Sequence, residues 1–163
     1  MVSSALLLQD MAVYNAPDVR RVNHALKVYG FACMLGKSEN LPEKEQLTLE
    51  FAAALHDIGI HAAEQKYGSS AGPYQEKEGP AIAREMLEKR GVSPEMTARV
   101  CQLIGRHHTY TNIDGQDCQL LIEADFLVNL DEDGASKETV QNVRKNIFRS
   151  TSGKTLLDAL LLQ

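Results

Sequence analysis

The stretch Ala53–Gly59, AALHDIG, sets a histidine beside an aspartate at the end of an apolar segment. The apolar residues of this segment recur at helical spacing on one side: Leu47, Phe51, Ala54, Leu55 and Ile58. Asn40 and Glu43 stand before it at the spacing of a capping box. We therefore predict a buried helix that ends at Gly59 and carries His56 and Asp57 in its last turn.

Helical spacing extends over nearly every long segment of the 163-residue chain. No segment shows sustained alternation with β-branched residues, which strands would require. The pattern predicts an all-α helical bundle, and the length suits one domain with a sizeable core. We expect that domain to span residues 1–163, with short amphipathic helices at 136–148 and 153–162 closing the core.

The helix expected before AALHDIG carries a histidine of its own. Pro17 suits a first helical turn, and apolar spacing continues to about Leu35. Val19 and Leu26 belong to one apolar stripe, and His24 lies on a second stripe on the opposite side. Apolar character on two faces predicts a well-buried helix. His24 should therefore point into the protein.

The segments after AALHDIG predict a loop and two further helices. Tyr67–Tyr74, YGSSAGPY, is rich in glycine and small polar residues, so we expect a movable loop that could cover a pocket. A helix from about Glu76 to Arg90 should follow. Another should begin at Pro94 and end at Arg106–His108. The adjacent pair His107 and His108 is thus expected at a helix end.

Asp125 interrupts an apolar stripe shared with Leu121 and Val128, in a helix expected from Asp117 to about Leu130. A carboxylate in such a place must be paired, protonated or bound to a cation. It belongs to a set of four potential ligands from three separated segments: His24, His56, Asp57 and Asp125.

The order of these motifs resembles that of the HD-domain superfamily of metal-dependent phosphohydrolases. LHDIG resembles the family's central signature, and EADFLVNL resembles the segment that ends its motif set. The resemblance runs from about residue 20 to residue 130. It implies that the chain coordinates one divalent metal ion inside a helical bundle through His24, His56, Asp57 and Asp125.

Two imidazoles and two carboxylates form a mixed nitrogen and oxygen site suited to Mn²⁺, Fe²⁺, Co²⁺, Ni²⁺ or Mg²⁺. The implied reaction is hydrolysis of a phosphomonoester or phosphodiester, such as a nucleotide, by a metal-activated water. Asp57 is expected to hold the metal and to accept a hydrogen bond from that water. The expected partner is therefore a phosphorylated small molecule.

His107 and His108, in the run IGRHHT, resemble a histidine pair that some family members use for a second metal or for the scissile phosphate. We predict catalytic and substrate-binding roles for both. The two-metal members carry a further histidine where this chain has Gln75, and often a lysine where it has Ile60. One metal is therefore the preferred count, although Glu78 with the histidine pair could hold a second ion weakly.

Arg20 lies four residues before His24 and projects from the same helix face. A planar guanidinium can make two parallel hydrogen bonds to a phosphate, so Arg20 is the predicted phosphate-binding residue.

Composition argues against other classes of protein. The net charge is −5, and such a chain lacks the concentrated basic surface that nucleic-acid polymers require. No apolar run approaches the roughly 18 residues that a membrane span needs, and the first residues do not form a secretory signal. We expect a cytoplasmic protein. Its oligomeric state is not predicted.

Two alternatives stay open at this point. The first is a regulatory module that holds a metal and hydrolyses nothing. The second is oxygen chemistry at a di-iron site, which some relatives with this helical shell perform. Gln75 counts against it, because the second iron would lack an imidazole.

Overall fold

The computed structural model describes residues 2–163, and these residues form nine α-helices and no β-strand. The predicted all-α class is therefore confirmed. No helix in this range is both long and apolar enough to cross a membrane. The helices are α1 (Ser4–Asn15), α2 (Val19–Ser38), α3 (Glu43–Leu55), α4 (Ile60–Tyr67), α5 (Gly72–Lys89), α6 (Pro94–Ile104), α7 (Gln116–Glu132), α8 (Lys137–Asn146) and α9 (Thr151–Leu161).

The centre of the bundle is formed by α2, α3 and α7. Helix α2 packs on both others, and α3 also packs on α6. His24 faces this core and is 4% exposed, as predicted. The expected second buried face of α2 is only partly buried: Val19 is 66% exposed and Leu26 is 44% exposed, whereas Val22 and Tyr29 pack partly buried against the core.

Helix α2 starts with a side-chain cap. Asp18 accepts a hydrogen bond from the backbone N–H of Arg21 at 3.2 Å, which satisfies one of the free amides of the first turn. Pro17 therefore precedes the cap and does not lie in the first helical turn.

Helix α3 starts without a side-chain cap. Its N-cap residue is Pro42, and Asn40 lies outside the helix in the left-handed region at φ 57°. The predicted capping box is wrong, because Asn40 lies two residues too early to reach the amides of the first turn. Asparagine tolerates the left-handed conformation better than most residues, so it serves the turn instead.

The His-Asp pair lies in a turn and not in a helix. Helix α3 ends at Leu55, and residues 56–59 form a turn before α4 begins. Gly59 therefore does not end α3. A Cβ at this position would lie 2.6 Å from the backbone nitrogen of Gly79 and 2.9 Å from the carbonyl oxygen of Gln75. Glycine thus allows the turn to rest directly on the backbone of α5.

The expected loop over 67–74 is much shorter in the structure, because α4 extends to Tyr67 and α5 begins at Gly72. Side chains of α4 and α5 contact each other across this short connection. Tyr67 donates a hydrogen bond to Glu78 at 2.7 Å and stacks on Tyr74 at a ring distance of 4.4 Å. Helix α5 therefore starts four residues earlier than predicted.

A buried carboxylate on α7 binds the segment between the C-terminal helices α8 and α9. Glu123 on α7 is fully buried and accepts hydrogen bonds from the hydroxyl of Ser150 at 2.6 Å and from its backbone N–H at 3.2 Å. Phe148 and Leu157 are fully buried in the same core as the central helices. The segment after α7 thus covers the central helices.

Candidate metal centre

Side chains from α2, the 56–59 turn and α7 converge on one point in the interior. His24 Nε2 lies 3.2 Å from His56 Nε2 and 3.1 Å from Asp57 Oδ2. Asp125 Oδ1 lies 3.2 Å from His24 Nε2 and 3.4 Å from His56 Nε2. At metal–ligand distances of about 2.1 Å, adjacent ligands stand about 3.0 Å apart in an octahedron and about 3.4 Å apart in a tetrahedron. His24, His56 and Asp57 offer donor atoms that all lie within 4.8 Å of one another, and Asp125 Oδ1 has the spacing of an adjacent ligand to each of the two histidines.

The hydrogen bonds of the two imidazoles fix which nitrogen faces this point. His24 Nδ1 lies 2.5 Å from Glu132 Oε1, and His56 Nδ1 lies 2.8 Å from the carbonyl oxygen of Ala53. A carboxylate and a carbonyl can only accept, so each Nδ1 is the donor. In the neutral imidazole each Nε2 then presents a lone pair. Two such lone pairs beside two carboxylates repel one another unless protons or a metal cation lie between them.

Burial increases that repulsion. His56 is 0% exposed and Asp125 is 3% exposed. Asp125 Oδ1 is buried and accepts no hydrogen bond of good geometry from any residue in the described range. A buried polar atom left without a partner costs about 1–3 kcal/mol or more when charged. Two carboxylates and two imidazoles therefore fit a divalent ion in both charge and ligand type.

The pKa values of the cluster express the same electrostatics. Burial lowers the pKa of His24, but Asp125 and Asp57 outweigh it and raise that pKa to about 9. The pKa of His56 is also raised well above its ordinary value by the two carboxylates, against the effect of complete burial. Burial raises the pKa of Asp57, and the charge of His56 more than reverses this, so its pKa is held well below the usual range. The cluster favours positive charge at its centre.

A second group of donors adjoins the first and shares Asp57 with it. Asp57 Oδ1 lies 3.3 Å from His107 Nε2, and Asp57, His107 and His108 offer atoms that all lie within 4.8 Å of one another. His107 Nδ1 donates to the carbonyl oxygen of Ile104 at 2.6 Å, so its Nε2 faces Asp57 as an acceptor. Helix α6 ends at Ile104, so both histidines lie in the turn after it and not in its last turn.

His108 is held by α5. Its Nε2 lies 3.1 Å from Gln75 Oε1, and its backbone N–H donates to Glu76 Oε1 at 2.9 Å. Burial, with His107 nearby, lowers the pKa of His108 to about 4. Glu78 does not join this group, because it accepts hydrogen bonds from Tyr67 and Lys66 instead. Gln75 thus places an amide oxygen beside His108, at the position where the two-metal members carry a histidine. An amide oxygen is a weaker ligand for a second metal than an imidazole.

The geometry agrees with the comparison of this chain with known proteins. The HD domain family matches residues 21–148. This chain belongs to the HD domain family. The match extends past the motif core predicted from the sequence and includes all of α8. No curated protein matches the chain.

A solved structure supports the fold of this HD domain. The crystal structure of a predicted HD superfamily hydrolase from an uncultured Thermotogales bacterium is similar to it, with a TM-score of 0.64 and 19% sequence identity. The similarity covers 96% of this chain and 82% of that chain. At this level of identity the likeness shows the shared fold.

The predicted phosphate-binding residue lies outside the buried cluster of the HD domain. Arg20 is exposed on α2, one helical turn before His24. The contact between Arg20 and phosphate stays a prediction.

Two residues near the centre were not identified from the sequence. Glu132 contacts His24 Nδ1, and the Tyr110 hydroxyl lies 3.5 Å from His108 Nδ1. Glu132 lies seven residues after Asp125, which places both carboxylates on nearly the same face of α7. That spacing was a usable signal. Tyr110 lies in an irregular segment, where no periodicity points to it.

Proposed function

We propose that this HD domain is a metal-dependent phosphohydrolase, acting on a phosphomonoester or phosphodiester such as a nucleotide. The observation that carries the proposal is the convergence of His24 Nε2, His56 Nε2, Asp57 Oδ2 and Asp125 Oδ1 within 3.1–3.4 Å contacts in the core. When bound there, a divalent ion would polarise a phosphoryl oxygen and lower the pKa of a water. The name of the solved relative, a predicted hydrolase, supports the same class of reaction.

The chain's own groups support hydrolysis beside this centre. Asp57 presents one oxygen to the four-donor cluster and the other to His107 Nε2. These two atoms are in direct contact at 3.3 Å, so the attacking water would be one bound at the ion beside Asp57. Asp57 could then accept the proton of that water as it attacks phosphorus.

His108 and Arg20 are proposed to bind the substrate. His108 has a pKa lowered to about 4, so it is neutral near pH 7 and its one N–H donates to Gln75 Oε1; a contact with phosphate would require His108 to release that hydrogen bond. Arg20 would supply the positive charge that a phosphate needs, from the exposed end of α2.

The test combines metal analysis with a substrate screen. Protein purified without chelator is analysed for bound metals and then assayed for phosphate release from phosphomonoesters, nucleotides and cyclic dinucleotides. One tightly held ion with turnover that Asp57→Asn removes supports the proposal. An ion without turnover would identify a binding module, and two irons with oxygen consumption would identify an oxygenase. The Gln75–His108 contact argues against the last outcome.

A further inference from the structure

Glu132, the last residue of α7, contacts the first histidine of the metal centre from its far side. Its Oε1 accepts the hydrogen bond of His24 Nδ1 at 2.5 Å. The two side chains are 19% and 5% exposed, respectively, so water competes little for this contact. It joins α7 to α2 across 108 positions in the sequence.

The other two imidazoles are oriented differently. His56 Nδ1 and His107 Nδ1 each donate to a carbonyl oxygen three residues earlier, at 2.8 Å and 2.6 Å. Both lie in turns, where such a carbonyl is free to accept. His24 lies inside α2, so the acceptor that orients its ring comes from a different helix. Among the three, His24 is the histidine whose ring is held by a carboxylate.

Helical geometry lets one face of α7 serve both purposes. Asp125 and Glu132 are seven residues apart, and such positions differ by only about 20° around a helix. Asp125 directs its Oδ1 to His24 Nε2 at 3.2 Å, while Glu132 binds the opposite nitrogen of the same ring. Helix α7 therefore places one carboxylate beside each nitrogen of this imidazole, and Glu132 is the one that forms a hydrogen bond with it.

The position of Glu132 is unfavourable for the helix itself. The carbonyl end of a helix is disfavoured for negative charge, yet Asp131, Glu132 and Asp133 follow one another there, and the last turn of α7 has no basic residue. Asp131 is exposed, whereas Glu132 turns inward to His24. Tertiary contact, not local helix preference, accounts for Glu132.

We infer that Glu132 is a positioning residue for the metal centre: it fixes the ring of His24 and keeps the Nε2 lone pair directed at the bound ion. This inference rests on the metal centre of the proposed function. Carboxylates that accept the distal N–H of a ligating histidine orient the ring and strengthen its basicity, and their loss typically weakens metal binding about 10- to 100-fold.

The experiment measures Mn²⁺ affinity of the full chain after chelator treatment, by calorimetry and by the electron paramagnetic resonance signal of free Mn²⁺. Glu132→Ala should weaken binding about 10- to 100-fold. Glu132→Gln retains an acceptor of the same length without the charge, so its loss should be smaller than that of Glu132→Ala. The matched control is Asp131→Asn, which removes one negative charge from the same turn and should stay within about twofold of the wild type.

A spectroscopic measurement separates positioning from a general effect on folding. With Co²⁺ in place of Mn²⁺, the visible absorption bands of Glu132→Ala should differ from those of the wild type, because the ring of His24 is free to turn. If Glu132→Ala does not fold, Glu132→Gln compared with Asp131→Asn decides the question through the same affinities.

Three outcomes would overturn the inference. Unchanged Mn²⁺ affinity in the Glu132 variants, with normal binding by the wild type, would refute the role of Glu132 alone. An equal loss in Asp131→Asn would show that only the net charge of the helix end matters. Absence of Mn²⁺ binding by the wild type would refute the metal centre itself, and the role of Glu132 with it.

Discussion

The replacement Asp125→Asn tests whether the buried cluster is a metal site. Asparagine keeps the volume and shape of the side chain but removes the charge that Asp125 Oδ1 directs at His24 Nε2 and His56 Nε2. The site would lose one of its two anionic ligands, while the packing of α7 on α2 and α3 would be retained. The expected result is a protein that folds and gains much less stability from a divalent ion than the wild type does.

The size of the effect follows from ligand linkage. At a metal concentration 100 times Kd, binding stabilises the wild type by about 2.7 kcal/mol. For a domain of this size each kcal/mol raises Tm by about 2–4 °C, so the wild type should shift by about 5–11 °C. Loss of a direct ligand should weaken binding at least as much as loss of an outer contact, about 100-fold. At the same concentration Asp125→Asn would then gain about 0.4 kcal/mol, or about 1–2 °C.

The assay is thermal unfolding of chelator-treated protein titrated with Mn²⁺, Fe²⁺, Co²⁺, Ni²⁺ and Mg²⁺ in turn. Asp131→Asn is the control, because Asp131 is an exposed carboxylate on the same helix. It should shift like the wild type. If Asp125→Asn also shifted like the wild type, the ion would bind elsewhere. If no ion shifted the wild type, the convergence of donors would have another explanation.

Four further outcomes are expected. Asp57→Ala should lose bound metal and phosphate release together, as measured by elemental analysis and a phosphate assay; normal turnover would show that the site is wrong. Arg20→Ala should keep the metal but lower kcat/KM about 10- to 100-fold, since a hydrogen bond to a charged group contributes about 1.5–3 kcal/mol; metal loss in this variant would contradict a substrate-binding role. In metal-free protein the pKa of His24 is raised to about 9. The stabilising effect of protonated His24 is complete below the unfolded pKa of about 6.5 and is lost as pH rises through 9. Tm in chelator buffer should therefore fall between these two pH values, and a flat profile would count against the ion pairs of His24. Gly59→Ala should lower Tm, because the added Cβ would lie 2.6 Å from the backbone of α5 and overpacking costs about 1–3 kcal/mol. The control is Gly30→Ala, whose Cβ meets nothing within 4 Å and which should not lower Tm.

The four converging side chains could be predicted because each departs from the pattern of its own segment. Asp125 stands on an apolar stripe, and His24 lies on the buried face of α2. Their convergence depends on how α2, α3 and α7 pack, which helical periodicity alone does not determine. The order of the motifs and its resemblance to a known family supplied that step.

The turn that holds His56 and Asp57 could not be predicted from local sequence. Gly59 is typical of a helix end, and the periodicity of Phe51 to Ile58 favours a continuous helix. The decisive contact is between Gly59 and the backbone of Gly79, twenty residues later. The two backbone segments approach too closely there for a Cβ on Gly59. A close approach of two backbone segments leaves no periodic signal, so the sequence predicts a helix end four residues later than the one in the structure.

The acidic residues at the end of α7 conflict with the helix dipole, and this conflict points to the role of Glu132. Three successive acidic residues at the carbonyl end of α7 oppose the helix dipole, and nothing nearby in the sequence compensates them. The compensation lies on α2, where Glu132 accepts from His24. Asp125 presents the same kind of conflict, since a carboxylate on an apolar stripe is unfavourable until His24 and His56 face it. Conflicts of this kind tend to mark functional positions. Two of them, seven residues apart on one helix, therefore indicate a shared partner, and in this chain that partner is His24.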